Sequence, residues 1–402
     1  MDKIVYSKDR KNLTDKILSI SVMFPITILS IQYLILNYFN ILGSNNGSIV
    51  QQISKSIVGL LFLVTLPKML KRNWILFLFT YVTAIGLFLF NYIFFNQNTE
   101  ILQMLIFQFY FMSLPCFIYS YSIDDTEILL SVMNKVSIIV FIVGVVISIL
   151  VFTNRITIDS YSMSLSYYML LPIIVFLNSF LKNMRLLTFT QIIISLIIIL
   201  SLGSRGPLIC IGFFIVSYLI NNRVKLNYKS ILIYPILLSL VIIIFIKFDD
   251  ILSYTYRMFL QLGIRSRTLQ MLMEKGLYLS GRETLYSTIL DQIKQNPLLG
   301  IGIGGDRLYV GSYVHNIFLE LLSHFGIIFG SIIIVFLFYL CYRMIKLKSK
   351  NDSNFMLMWI SMGIIPLLVS GSYLIEFNFW IFLGLALKAL KKDKNLKIKD
   401  IK

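Results

Sequence analysis

Read along its length, the chain alternates long apolar stretches with short polar intervals, from residue 17 to residue 390. Crossing about 30 Å of hydrocarbon at about 1.5 Å per residue takes about 20 residues of helix. By that measure twelve stretches are candidate spans: 17–38, 49–67, 74–95, 101–121, 136–152, 164–181, 186–202, 206–220, 230–247, 316–341, 355–371 and 373–390. The stretch 49–67 is the least apolar, with Gln51, Gln52 and Lys55 in it. The last two are nearly continuous and read as a tight hairpin or one bent element. Lys3, Lys8, Arg10, Lys11 and Lys16 precede the first span and no small-residue cleavage pattern follows it, so it reads as a retained anchor. The expected fold class is all-α: a polytopic integral membrane helical bundle of about twelve transmembrane helices, forming one domain over residues 1–402.

One interval breaks the rhythm. Residues 248–315 separate spans nine and ten, and a connection that long is usually functional. Composition agrees with a membrane chain: 57% of the 402 residues are hydrophobic, 14% are charged and the mean hydropathy is +0.82. Soluble domains carry about 25% charged residues. The formal net charge of +17 suggests nucleic acid, but the placement of the cations explains it otherwise. With the N-terminus inside, 25 of the 36 Lys and Arg fall on the inner side, and the short outer loops hold only Arg155 and Arg205. This is the bias expected of cytoplasmic loops, so both termini are assigned to the cytoplasm and a nucleic-acid partner is set aside. The expected location is a membrane, with both termini on its inner side. Cys116, Cys210 and Cys341 lie in or beside apolar runs without CxxC spacing, which gives neither a disulfide framework nor a zinc site. No metal-ligand spacing and no cofactor motif is evident.

Within the long loop, seven cations face six acids, so the charges are mixed. Ser280-Gly281-Arg282-Glu283 fits a capping box, Leu285, Ile289 and Ile293 give an apolar face at helical spacing, and Asn296-Pro297 ends the helix. Arg282 in the first turn opposes the helix dipole at a cost of about 0.3–1 kcal/mol, unless an anion binds there. Arg205 repeats the pattern in the outer turn Gly203-Ser204-Arg205-Gly206-Pro207. Two such arginines suit a phosphate or pyrophosphate at the membrane surface. Each reads equally as an interfacial or Glu-paired cation. Gly300, Gly302 and Gly305 make a literal GxGxxG, but they follow a helix end and lack a βαβ unit. They read as a tight loop or anion-binding nest. The chain has two histidines. His315, where the loop meets span ten, is the better acid/base candidate, with a capping or interfacial role as the alternative. His324 lies about 13.5 Å deeper along a helix and shares a face with Glu320, which predicts a His324–Glu320 pair inside the bundle. The loop tyrosines and Asp249-Asp250 read as ordinary interfacial groups.

Taken together, these motifs resemble the O-antigen ligase and Wzy polymerase superfamily. The matching residues are Gly203-Ser204-Arg205-Gly206-Pro207, Gly281-Arg282, Asn296-Pro297-Leu298-Leu299-Gly300-Ile301-Gly302 and His315-Asn316-Ile317-Phe318-Leu319, with Gly326 and Gly330 downstream. The resemblance is specific over residues 200–330 and loose elsewhere. It implies a GT-C-like membrane glycosyltransferase with polyprenyl-diphosphate-linked saccharides as donor and acceptor and no metal or cofactor. Arg205 and Arg282 would bind the diphosphate and His315 would activate the acceptor hydroxyl. Gly300, Gly302, Asn316, Arg265 and Arg267 would line the substrate site. A flippase and a chain-length regulator are the implied partners besides lipid. The mixed outer charges and the Ile/Asn/Lys-rich composition favour a repeat-unit polymerase of capsule or O-antigen type over a ligase. A lipid-linked oligosaccharide flippase is the reading from another class, and it predicts charge lining the bilayer middle.

Overall fold

The computed structural model describes residues 2–153, 155–156, 163–201, 206–222, 239, 242–243, 246–261 and 282–401. Among them every regular element is helical: α1 (Asp2–Tyr38), α2 (Asn45–Phe94), α3 (Thr99–Gln108), α4 (Leu114–Tyr121), α5 (Thr126–Phe152), α6 (Met163–Tyr168), α7 (Leu170–Asn183), α8 (Leu186–Ser201) and α9 (Gly206–Asn222). Then come α10 (Phe248–Gln261), α11 (Arg282–Gln295), α12 (Asp306–Val310), α13 (Ile317–Ile345), α14 (Lys350–Gly363), α15 (Ile365–Val369) and α16 (Phe377–Ile401).

Among the described residues six stretches are long and apolar enough to cross a membrane: Lys11–Tyr38, Asn45–Phe94, Asn96–Tyr121, Thr126–Val151, Ile317–Ile345 and Lys350–Val369. The expected count of twelve is larger for physical reasons. The stretches 49–67 and 74–95 run together in α2, interrupted at Asn73 by non-helical backbone (φ −145°, ψ 50°). The stretches at 186–202 and 206–220 form the shorter helices α8 and α9. Most of 230–247, with Arg265, Arg267, Arg205 and the cap residues Ser280 and Gly281, lies outside the described residues. The apolar pair near the C-terminus resolves as a hairpin. A Cβ on Gly363 at the end of α14 would stand 2.7 Å from the Asn378 carbonyl oxygen at the start of α16. Residues 364–376 bulge out between them as α15 and a turn.

The chain forms two compact units. One comprises Met23–Leu60 and Leu130–Tyr278. In it α7 buries nearly its whole length and packs against α8 and α9. The other comprises Met1–Val22, Leu61–Leu129 and Leu279–Lys402. In this second unit α16 lies along α4, where Gly384 admits the Phe117 carbonyl and the Ser120 side chain. Four segments that the charge count groups on one side share a set of ion pairs there. Arg72 bonds Asp15 and the Ser122 carbonyl, and Lys11 and Lys388 both reach Asp124. Burial alone would raise the Asp124 carboxyl, but Lys388, Arg72 and Lys11 outweigh it and hold it low.

The end of this unit that carries the charged site is organised by a break in α13. Gly326 takes φ 73° and ψ 175°, so the Ile327 amide no longer meets the Ser323 carbonyl. Both groups bond the incoming loop instead. The Ile327 N–H donates to the Pro297 carbonyl at 2.7 Å, and the Ser323 carbonyl accepts from the Ile301 N–H at 2.7 Å. Backbone groups inside a membrane protein need such replacement partners. Gly300 (φ 71°) and Gly326 interlock, since a Cβ on Gly300 would lie 2.7 Å from the Gly326 nitrogen and one on Gly326 would strike the Leu298 carbonyl.

Gly326→Ala is expected to destabilise the protein by more than about 2 kcal/mol, because it adds left-handed strain to a backbone clash. Gly86→Ala in α2 meets open space and should be neutral or stabilising by up to about 1 kcal/mol. Thermal unfolding in detergent separates the two. Equal effects would show that the break is not a fixed element of the fold.

Candidate functional site

Loop 297–305 enters beside α13 and is gripped from its other side by α2 and the turn after it. Asn91 Oδ1 accepts from the Ile303 N–H at 2.6 Å, and Asn98 Nδ2 donates to the carbonyls of Ile301 (2.9 Å) and Ile303 (3.3 Å). Gly300, Gly302 and Gly304 all take positive φ, which no other residue type adopts so readily. The expected tight loop is therefore present. Its amides at 300, 301, 303 and 305 are taken by protein acceptors, and residues 300–306 are buried.

The loop delivers Asp306 and Arg307 into the unit. Asp306 is fully buried at the start of α12, and its Oδ1 lies 2.8 Å from His324 Nε2 and 3.0 Å from Arg307 Nη1. Its Oδ2 accepts from the Val314 N–H at 3.1 Å. Burial alone would raise this carboxyl. His324, Arg307 and the Val314 amide outweigh burial and hold it below the usual carboxylate range. Nε2 of His324 faces both this carboxylate and the Gly304 N–H, which lies 3.2 Å from it, and its Nδ1 meets the Tyr373 hydroxyl at 2.9 Å. The second Arg307 nitrogen donates to Ser372 Oγ at 3.0 Å and stands 3.9 Å from Glu320. Glu320, also buried, accepts from the Ser372 hydroxyl and from the Tyr373 N–H at 3.3 Å.

The expected His324–Glu320 pair is thus replaced by two crossed partnerships, His324 with Asp306 and Glu320 with Arg307 and Ser372. The i,i+4 spacing brings the two side chains near each other, but stronger partners arrive from loops remote in sequence. Asp306, Glu320 and His324 each present one atom that could ligate a metal, all within 4.8 Å. All three are already engaged, and Arg307 supplies the positive charge that a cation would bring.

His315 sits just outside this knot. Its Nδ1 lies 3.2 Å from the Ser370 carbonyl and its ring lies 4.3 Å from that of Tyr313. A carbonyl only accepts, so the proton is on Nδ1 and Nε2 keeps its lone pair. Burial lowers the His315 pKa below the ordinary imidazole value, and the nearby Arg282 charge acts in the same direction. His315 is also held at φ 56°, a left-handed conformation costing about 1–3 kcal/mol in a non-glycine residue. Asn316 caps α13, its side chain accepting from the amides of Phe318 (2.9 Å) and Leu319 (3.3 Å).

Arg282 opens α11, as the spacing predicts, and α11 packs against α13 through Ile289 and Ile293. No hydrogen bond or ion pair from a described residue engages its guanidinium, whereas Arg307 is spent on internal carboxylates. Burial drives the neighbouring Tyr313 hydroxyl up to about 12, so it is a neutral donor at physiological pH. The structure therefore brings Arg282, His315 and Asn316 into one neighbourhood. The residues that sequence reasoning missed are Asp306, Ser370, Ser372 and Tyr373. Their one visible signal was polarity, a lone acid after a glycine run and a Ser-Gly-Ser between two apolar stretches.

Residues 190–335 match the family model Wzy_C, described as O-antigen ligase. The matched stretch covers about a third of the chain. It contains Arg205, Arg282, Asp306, Arg307, His315, Glu320 and His324, and it ends before Ser370. The match supports a membrane glycan-processing function of the ligase or polymerase type. No curated protein and no solved structure matches the chain.

Asp306→Asn keeps the shape of the knot and removes the charge opposite Arg307, at an expected cost of about 3–5 kcal/mol. A carboxylate held below its ordinary pKa contributes stability above that ordinary value, and the contribution is lost as pH falls through the lower folded value. Unfolding temperatures measured against pH should fall in that acidic window for the wild type and much less for Asp306→Asn. A variant that melts like the wild type at neutral pH would remove the knot from the stability account.

Proposed function

We propose that the protein is a membrane glycosyltransferase that moves a glycan from a polyprenyl-diphosphate carrier to the sugar end of another lipid-linked repeat unit. The observation that carries this reading is an arginine with no ion-pair partner among the described residues close to a base-competent histidine, inside the stretch that matches the Wzy_C model. Arg282 places a cation without an ion-pair partner among the described residues near His315, and His315 offers Nε2 with its lone pair free. In the reaction the acceptor hydroxyl oxygen bonds the anomeric carbon, the anomeric carbon–phosphate oxygen bond breaks, and the hydroxyl proton passes to His315 Nε2. The departing diphosphate gains negative charge, which Arg282 offsets without a metal. Arg205, Arg265 and Arg267 are assigned to substrate binding by the family resemblance alone.

We read the chain as a twelve-span, GT-C-like bundle in a bacterial plasma membrane with both termini inside and the site outside. The shared ion pairs of Asp15, Arg72, Asp124 and Lys388 support one common side for four of the inner segments. A bilayer boundary suits this chemistry, because the carrier lipid stays in the membrane while its sugars project into water. The polymerase reading is preferred over a ligase on the mixed charges of the 248–315 loop.

Arg282→Ala and His315→Ala, each expressed in a polymerase-deleted strain of the native host, should insert normally and lose long surface glycans on a gel. The loss of charge stabilisation is expected to slow transfer by about 100-fold or more. In membranes supplied with the host's lipid-linked saccharide, the wild-type rate should fall on the acid side only below the ordinary imidazole pKa of about 6.5. Long chains at wild-type level in both variants would sink the site assignment. Deleting the gene separates the alternatives. Single repeat units accumulating on the carrier indicate a polymerase, finished polymer on the carrier indicates a ligase, and repeat units stranded inside indicate a flippase.

A further inference from the structure

His315 is held on both flanks, and the holding runs through one side chain. On one flank, Arg307 lies under the Tyr313 ring, with its guanidinium carbon 5.8 Å from the ring centroid. Arg307 also bonds Asp306, whose other oxygen takes the Val314 N–H, the amide immediately before His315. On the other flank, Arg307 donates to Ser372 Oγ at 3.0 Å, two residues from the Ser370 carbonyl that receives the His315 Nδ1 proton. Glu320 completes that anchor by accepting from Ser372 and from the Tyr373 amide. One planar fork thus ties the 313–315 segment to the 370–373 turn.

We propose that Arg307 is a positioning residue that fixes the tautomer of His315, keeping the proton on Nδ1 and the Nε2 lone pair turned toward substrate. It does so without touching substrate, since its charge is spent on Asp306 and Glu320. Metal-site histidines are oriented in the same way by the acceptor on their second nitrogen. The left-handed backbone at His315 fits this assignment, because such a conformation persists only where its surroundings over-determine it. Lysine cannot replace the fork, because a single ammonium cannot serve Asp306 and Ser372 with the same planar geometry. The catalytic consequence rests on the transferase reading, but the tautomer does not.

The test is histidine-nitrogen NMR of the isotope-labelled full chain in detergent micelles. With two histidines in the chain, His315→Gln assigns the signals. In the wild type His315 is expected as a single tautomer protonated at Nδ1. In Arg307→Lys that single tautomer should be lost and an Nε2–H form should appear beside it. If Arg307→Lys does not fold, Ser372→Ala removes the fork's hydroxyl partner and should show the same change. A folded variant that keeps the single Nδ1–H tautomer overturns the proposal. Chain growth in membranes of the folded variant should fall about 10- to 100-fold, as displacement of a reacting group by about 1 Å does. A mixed tautomer with an unchanged rate would overturn the link to catalysis. Because the NMR needs no glycan, its failure is distinct from that of the transfer reading, which His315→Ala tests by itself.

Discussion

In an unbroken helix the Ile327 amide would donate to the Ser323 carbonyl. In α13 that bond is open, and its two halves are closed again through Pro297 and Ile301. The arrangement costs little in hydrogen bonding, because both polar groups remain satisfied. It does require two glycines in left-handed backbone at the contact, and Gly300 and Gly326 supply them. Loop 297–305 is thereby seated against the level of His324, and Asp306 can reach a histidine that a straight helix would leave to its own neighbours.

The charged knot follows from that seating. Two buried carboxylates, a histidine and an arginine share a space that none could occupy alone, since an unpaired buried charge is costly. Arg307 reaches both carboxylates, while Ser372, Tyr373 and the Val314 amide take the remaining lone pairs. Outside the knot, Arg282 is left without a partner among the described residues. The same inter-span stretch therefore contributes one arginine to structure and presents another, and the distinction lies in neighbours rather than residue type.

Much of the helical architecture was legible in the sequence because hydropathy is local. The long apolar helices, α11 from its spacing and the Asn316 region at the head of α13 all follow from runs of adjacent residues. The Asn73 break was not legible as such, since a polar residue between two apolar runs reads as a loop. The knot was legible only in part. Glu320 and His324 were visible as intramembrane polar groups, but their partners lie 13 to 53 positions away, beyond any helical periodicity. Ser370 and Ser372 were hidden in a stretch that looked like the junction of two spans. The motifs that named Arg282, His315 and Asn316 are short and lie near the elements they head, so the structure places those residues where the local sequence suggests.

The grip of Asn98 on the Ile301 carbonyl joins residues 203 positions apart, and Arg307 meets Ser372 across 65 more. Contacts of that separation close late in folding, after the intervening chain is in place. The site is therefore a late product of synthesis. When the ribosome has made the first five helices, the Asn91 and Asn98 side chains exist without their loop. When it has made α13, Glu320 and Arg307 are both present, yet the turn that bonds them both is still unmade. Only insertion of the C-terminal hairpin brings Ser370 to His315, so the finished geometry at the histidine reports that the whole unit has assembled.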